Sequence, residues 1–404
     1  MIRLNQLAGQ VKEKKAQIDP MEYLSLYDLL TPEELEVRKA VEAFVAKEVT
    51  PKINDYVEAA QFPTEIVNAV KPLKLFHHFL NKPYGHGTSY TKQGIILMEA
   101  ARADAGFATF IAVQNLLLNY TLEKFGSEAQ KQKYLTKTRD IEYIGGWGLT
   151  EKGYGSDASS LTSNVKKVQG GYILNGDKRW IGNGNKDVLI VWARNLDTNK
   201  VEGFIVETKW PGYHAEVIQG KLALRIVQNC QITFTNIFIP DENKLESVTD
   251  FQNGPNQVLM HSRVIVPWIA LGVMRGVYEH SLKWTTTRKQ FGKYLASFQL
   301  QQERLVRILS TFQASFLMVL RLSRLAAEGK ATIGMISSVK AWVTDKTREV
   351  ARLGREMLGG DGIISDNYVI KALTDAEVLY TYEGTYDINS LVAGREITGI
   401  GAFK

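Results

Sequence analysis

One cysteine in 404 residues, Cys230, excludes an intrachain disulfide and any cysteine-built metal site. It sits in the alternating run Cys230-Gln231-Ile232-Thr233-Phe234 and reads as a small buried hydrophobe in a reducing interior. The six histidines (His77, His78, His86, His214, His261 and His280) lack metal-ligand spacing, so no metal is expected. A Walker loop and a Ser/His/Asp constellation are also missing. No uninterrupted apolar run reaches bilayer length. The richest, Val264-Ile265-Val266-Pro267-Trp268-Ile269-Ala270-Leu271, is short and contains a proline, so no membrane span is expected. Blocks of like charge are absent too. The net charge is +6, but lysine and arginine are dispersed, which argues against a nucleic-acid surface. The charge fits a polyanionic small-molecule ligand or a slightly alkaline compartment.

What is present describes an ordinary soluble chain, 45% hydrophobic and 23% charged, long enough for two or three domains. Residues 1–17 carry Arg3, Lys12, Lys14 and Lys15 against Glu13 alone, a composition shared by an organelle presequence and a solvated helical lead-in. The ending Gly401-Ala402-Phe403-Lys404 is not of the Ser-Lys-Leu type that addresses peroxisomes.

Three regions differ in periodicity, giving an α+β chain that is mostly α. Residues 1–146 read as helical. Thr31-Pro32-Glu33-Glu34 is a capping box with proline at the first helical position, and Leu35, Val37, Val41, Phe44, Val45 and Val49 follow at helical spacing. Further helices are predicted near 92–104 and 107–124. Residues 147–250 change period. Gly170-Gly171 and Asn175-Gly176 read as hairpin turns between short β-branched or aromatic runs, which predicts a compact antiparallel β domain. Residues 251–404 return to helix, with four long elements near 256–287, 298–328, 333–358 and 375–400, enough for a four-helix bundle. The order helix, strand, helix lacks βαβ alternation and so speaks against a doubly wound nucleotide fold.

The run Tyr380-Thr381-Tyr382-Glu383-Gly384-Thr385-Tyr386-Asp387-Ile388 sets one carboxylate among aromatic and small residues. Lost hydration raises a carboxyl pKa toward the range of a general base at neutral pH. The alternative is a surface Glu stabilised by a helix N-terminus. Gly153-Tyr154-Gly155-Ser156-Asp157, after Trp147-Gly148-Leu149-Thr150-Glu151, offers backbone N–H groups to a phosphate or a ring edge, or is a plain loop. Lys178-Arg179-Trp180-Ile181-Gly182-Asn183-Gly184 places a tryptophan where it packs either a flat ring or the core. Arg288-Lys289-Gln290-Phe291-Gly292 and Glu356-Met357-Leu358-Gly359-Gly360 end predicted helices. They supply either ligand contacts or helix caps.

Together, in this order and spacing, these five motifs resemble the acyl-CoA dehydrogenase and oxidase family over nearly the whole chain. The resemblance is greatest to the branch holding glutaryl-CoA dehydrogenase and the plant short-chain acyl-CoA oxidase. It implies the family's fold of N-terminal helical, middle β and C-terminal four-helix domains. It also implies FAD, an acyl-CoA substrate, a homotetramer or dimer of dimers, and electron-transfer flavoprotein or O2 as acceptor. A mitochondrial matrix location follows for the dehydrogenase reading, with peroxisome or cytoplasm as alternatives. Glu383 matches the base that takes the α-proton. Trp147, Leu149, Thr150, Gly155 and Ser156 match the flavin-lining segment, with Ser156 also near CoA, and Trp180, Ile181 and Gly182 match the wall of the ring. Arg288, Phe291, Gln299, Glu356, Gly359 and Gly360 match the holders of the FAD pyrophosphate and adenosine, partly across a subunit interface. Thr385, Asp387 and Phe403 match further FAD contacts, and Arg263 and Gly384 lie on the substrate side.

Three departures from the family pattern are informative. Gly182 stands where most dehydrogenases have threonine, which suggests room for O2. Ala108 and Ala112 stand where the glutaryl enzyme has its carboxylate-binding Arg and a Ser, so a dicarboxylic acyl chain would be buried unpaired, and glutaryl-CoA is not the expected substrate. Lys152 replaces a proline in the flavin loop. Members that carry the base on another helix place it just before an arginine. That position is Ser262 here, which leaves Glu383 as the only base. A scaffold subunit without chemistry is the competing reading, opposed by the intact Glu383, Trp180 and Arg288.

Overall fold

The structure, a computed structural model, describes residues 19–402. The presequence-like residues 1–17 and Phe403 lie outside the described residues.

The chain opens in helices. Helix α1 (Pro32–Phe44) begins with the anticipated capping box: Thr31 Oγ1 accepts from Glu34 N at 3.2 Å, and Glu34 Oε2 accepts from Thr31 N at 2.9 Å. Helix α2 (Tyr90–Ala103) is buried on nearly every side. Its Gly94 lets the Trp268 ring approach so closely that a Cβ there would lie 2.3 Å away. Helix α3 (Ala105–Ala112) starts on Asp104, whose Oδ1 accepts from Phe107 N at 2.7 Å. It runs on through a π-helical stretch, Val113–Asn119, into Tyr120–Phe125. The widened turn was not legible in the apolar periodicity, which is continuous across it.

A seven-stranded sheet follows: β1 (Gly145–Gly148), β2 (Asn164–Val168), β3 (Gly171–Gly182), β4 (Val188–Asn195), β5 (Val201–Glu207), β6 (Tyr213–Val217) and β7 (Asn229–Pro240). Its order is β1-β4-β2-β3-β7-β6, with β5 also on β4. Four pairings are antiparallel, while β1 and β2 run parallel to β4. The chain does turn from β2 into β3 at the expected place, one residue earlier than the Gly-Gly pair: Gln169-Gly170 forms the turn and Gly171 already pairs with Val168. Asn175-Gly176 does not turn it. It lies mid-strand in β3 at a register shift against β7, where Gly176 (φ 136°) brings the backbone against Ser163. Cys230 is fully buried in β7, as its alternation pattern implies.

The helices return with α4 (Pro255–Thr287), α5 (Gln299–Ala327) and α6 (Ile333–Met357). By length and composition α4 and α5 are apolar enough to cross a bilayer. The apolar window of α4 is mostly buried, against α2 and α6, so its apolarity belongs to the core. The fourth expected helix is two: α7 (Tyr368–Thr381) and α8 (Tyr386–Thr398). Glu383 (φ 56°) and Gly384 (φ 87°) are left-handed, and a right-handed helix cannot continue through them.

The loop between β6 and β7 ties the three regions together. Leu224 N donates to Asp375 Oδ1 on α7 at 2.7 Å. Arg225 donates to the carbonyls of Val57 and Glu58 at 2.8 and 2.9 Å.

Candidate active site

The break between α7 and α8 aims the Glu383 side chain at α4. Glu383 Oε2 accepts from Ser262 Oγ at 2.8 Å, and the Glu383 carbonyl accepts from Arg263 Nε at 2.8 Å. Burial pushes the Glu383 carboxyl above its ordinary range, with Arg263, Ser262 and Lys340 opposing the rise. Its backbone N–H makes no hydrogen bond to any described residue. Thr385 starts α8 by accepting from Ile388 N at 3.2 Å, while Asp387 is exposed in the first turn. The structure thus joins Glu383, Gly384 and Arg263 directly, and Thr385 adjoins them.

A second group lies on the sheet. Trp147 on β1 is buried edge-to-face on Trp192, and its indole N–H donates to Thr121 Oγ1 at 3.1 Å. The Leu149 carbonyl accepts from Lys178 Nζ at 3.0 Å, and the Thr150 carbonyl from Arg179 N at 2.8 Å. Trp180 (φ 66°) leaves its ring 51% exposed beside buried Ile181 and Gly182. Trp180 thus joins a left-handed backbone to an exposed ring, with the Arg179 guanidinium 5.1 Å from the ring centroid. Gly155 and Ser156 lie in an exposed loop, and a Cβ on Gly153 or Gly155 would meet nothing within 4 Å.

Glu151 and Lys178 anchor this loop beneath the surface. Lys178 Nζ donates to Glu151 Oε1 at 2.8 Å with both side chains almost wholly buried. The Glu151 oxygens also accept from Thr162 N, Thr162 Oγ1 and Ser163 N. Burial alone would raise the Glu151 carboxyl, but Lys178 and these donors bring it down to about 2. Burial takes the Lys178 ammonium down to about 8 against the pull of Glu151. Both directions leave the pair ionised at neutral pH.

Helix α3 and its π-helical extension connect the two groups. The Tyr382 hydroxyl, next to Glu383, faces Thr109 without the geometry of a full hydrogen bond. One turn further along, Val113 meets Gly182, whose Cβ would lie 3.5 Å from Val113 and Val227 methyls. Ala108 and Ala112 on α3 are buried and offer no polar group. Between Tyr382 and Gly182, the helix positions Ala108, Ala112 and Val113 therefore present only apolar side chains.

The third group stays apart. Arg288 ends α4, exposed, above Trp284. Phe291 is 91% exposed at the tip of a small hairpin, and Gln299 is exposed at the start of α5. Glu356 accepts from Arg352 at 2.8 Å, and Gly359 and Gly360 are exposed with open space around them. No hydrogen bond among the described residues links this group to Glu383. A surface cavity of about 310 Å³ lined by Lys71, His77 and Arg139 shares no residue with any of the three groups.

Sequence reading did not find Lys340, Asn389 or Thr109. Lys340 had one signal, a lysine on the apolar stripe of a predicted helix. The donor role of Ser262 depends on a contact 121 residues away in the chain and had none.

Three family models match the chain: the N-terminal domain of acyl-CoA dehydrogenases over residues 31–142, the middle domain over 146–237 and the C-terminal domain over 255–398. A mitochondrial 2-methylacyl-CoA dehydrogenase of Solanum tuberosum is 29% identical over 382 residues, 91% of each chain. The crystal structure of glutaryl-CoA dehydrogenase from Mycobacterium smegmatis is 31% identical and superposes with a TM-score of 0.91 over 95% of this chain and 99% of that one. A second structure of a glutaryl-CoA dehydrogenase from that organism, in complex with FADH2, is 30% identical with the same TM-score and coverage.

Proposed function

The chain belongs to the acyl-CoA dehydrogenase family, and from that premise we propose that it is an FAD-dependent oxidoreductase converting a short-chain acyl-CoA to a trans-2-enoyl-CoA. The observation that carries this reading is Glu383: a carboxylate made more basic by burial, held on a left-handed joint, with its own N–H unpaired among the described residues.

The residues present fit a flavin. The exposed face of Trp180 beside buried Ile181 and Gly182 suits an isoalloxazine ring, and the open backbone at Gly155 and the Ser156 hydroxyl suit its polar edge. Trp147, Leu149 and Thr150 back that surface. Arg288, Phe291, Gln299, Glu356, Gly359 and Gly360 would hold the pyrophosphate and adenosine, with Thr385 and Asp387 adding contacts. The exposure of Arg288, Phe291, Gln299, Gly359 and Gly360 supports a site shared between subunits of a homotetramer. Bound there, FAD supplies a hydride acceptor for the β-carbon.

The chain's own residues handle the proton. Glu383 takes it from the α-carbon, for which a raised pKa is an advantage. The unpaired Glu383 N–H is available to the thioester oxygen as negative charge develops there. Arg263 holds the Glu383 carbonyl, and so the peptide plane that follows the base. Gly384 lets the chain turn, and Ser156 lies on the CoA side.

The apolar face at Ala108 and Ala112 supports a short acyl chain without a second carboxylate, despite the likeness to glutaryl-CoA dehydrogenases. Electrons leave to an electron-transfer flavoprotein or to O2, and the missing side chain at Gly182 favours O2. The mitochondrial potato relative favours the matrix and the flavoprotein. Anaerobic titration with butyryl-, hexanoyl- and glutaryl-CoA tests the substrate reading: bleaching by the first two and not the third is expected, and bleaching by none sinks it. Stopped-flow mixing of reduced enzyme with air separates the acceptors.

A further inference from the structure

Lys340 is fully buried on α6, yet the chemistry above makes no use of it. Its Nζ donates to the Gly384 carbonyl at 2.6 Å and to the Tyr380 carbonyl at 3.3 Å. Tyr380 lies in the last turn of α7, and Gly384 lies just beyond the left-handed Glu383. One ammonium group therefore spans the joint, with an anchor on each side of Glu383. Asn389 on α8 adds Nδ2 to the same Gly384 carbonyl at 2.8 Å.

We propose that Lys340 is a positioning residue for Glu383, clamping the Tyr380–Gly384 joint from behind so that carboxylate and backbone N–H face the substrate together. The assignment rests on Glu383 being the base. Its physical logic is that of an unsupported break. A joint with two successive left-handed residues is costly, and the carbonyls that α7 leaves at its end need donors where water is excluded. A lysine that only filled space in the core would be a poor choice, because burying an ammonium is expensive unless it is paired and hydrogen-bonded. Burial brings Lys340 down to about 7, with Glu383 raising it and Arg263 lowering it. Those two are the charged groups that act on it, Glu383 from the joint and Arg263 from α4. Asn389, from α8, is uncharged.

The test uses the FAD-loaded enzyme with Lys340→Met. Amide hydrogen exchange across residues 381–385 is expected to speed up roughly tenfold or more, the size set by losing hydrogen bonds from a buried charged donor. The plateau rate of flavin bleaching should fall by a similar factor with little change in KM, and its pH midpoint should move up as Glu383 loses a neighbouring cation. Lys340→Arg, which keeps charge and donors, should recover part of each. Wild-type exchange together with a wild-type pH midpoint in Lys340→Met overturns the proposal. If Lys340→Met does not fold, Lys340→Gln is measured in the same way. Failure of both to fold also overturns it, leaving Lys340 as scaffold alone. Glu383→Gln runs alongside: if it bleaches normally, the base assignment itself has failed, whatever Lys340 does.

Discussion

Ser262 Oγ lies 2.8 Å from Glu383 Oε2 and 3.2 Å from the Leu259 carbonyl oxygen. A hydroxyl has one proton. Donated to Glu383 it favours the carboxylate; donated to Leu259 it leaves Oγ as an acceptor suited to the protonated acid. Ser262→Ala removes the donor that opposes the upward shift of Glu383. The pH midpoint of substrate-driven bleaching should rise, with the high-pH plateau lowered by less than about tenfold. A pH series of single-turnover rates on the variant measures both, and an unmoved midpoint contradicts the expectation.

Glu383→Gln should cut the bleaching rate by roughly 10²- to 10⁴-fold while acyl-CoA still binds. It should also stabilise the fold. Burial holds the native carboxyl above its reference value of 4.5, so the folded state binds this proton more tightly than the unfolded chain. The stabilisation from that proton is fully present below the unfolded pKa and is lost as pH rises through the native one. Above the native pKa the wild type holds an ionised, partly buried carboxylate that the glutamine variant lacks, so the variant should melt higher there. The gap should close as pH falls below the native pKa. Calorimetry across that range checks the sign.

Lys178→Met leaves Glu151 ionised and buried with only neutral donors. Losing one partner of such a pair costs about 3 kcal/mol or more. The thermal midpoint should drop, and FAD retention on gel filtration should weaken more than for a surface lysine variant, because the same ammonium holds the Leu149 carbonyl.

Gly182→Thr tests the acceptor. The Cβ position meets methyls at 3.5 Å, an ordinary contact, but the buried site must also take the two γ atoms, so a loss of about 1–3 kcal/mol is expected. Reoxidation of the reduced enzyme by air should slow. Equal reoxidation rates in stopped flow would show that the missing side chain does not admit O2.

Much of the architecture was legible because it is written in local signals. The capping box at Thr31, the long helices ending at Thr287, Ala327 and Met357, and the turn at Gly170 all follow from residues within one or two turns of chain. The misreadings have tertiary causes. Asn175-Gly176 has the composition of a turn, but β7 pairs across it and Ser163 packs against the glycine. The fourth helix was expected unbroken because its apolar spacing persists, while Lys340, Arg263 and Asn389 hold the interruption from three other places in the chain. Motif spacing drew attention to Glu383 and Trp180, which the structure sets on the α7–α8 joint and at an exposed strand position. It was silent on Ser262 and Lys340, whose work depends on what lies opposite them after folding.

The bond from Leu224 to Asp375 joins positions 151 residues apart. During synthesis the sheet surface around Trp180 is complete long before α7 leaves the ribosome. The nascent chain therefore carries that surface before residue 383 has been made. The α7–α8 joint comes last, when α7 docks through Asp375 on a loop already in place.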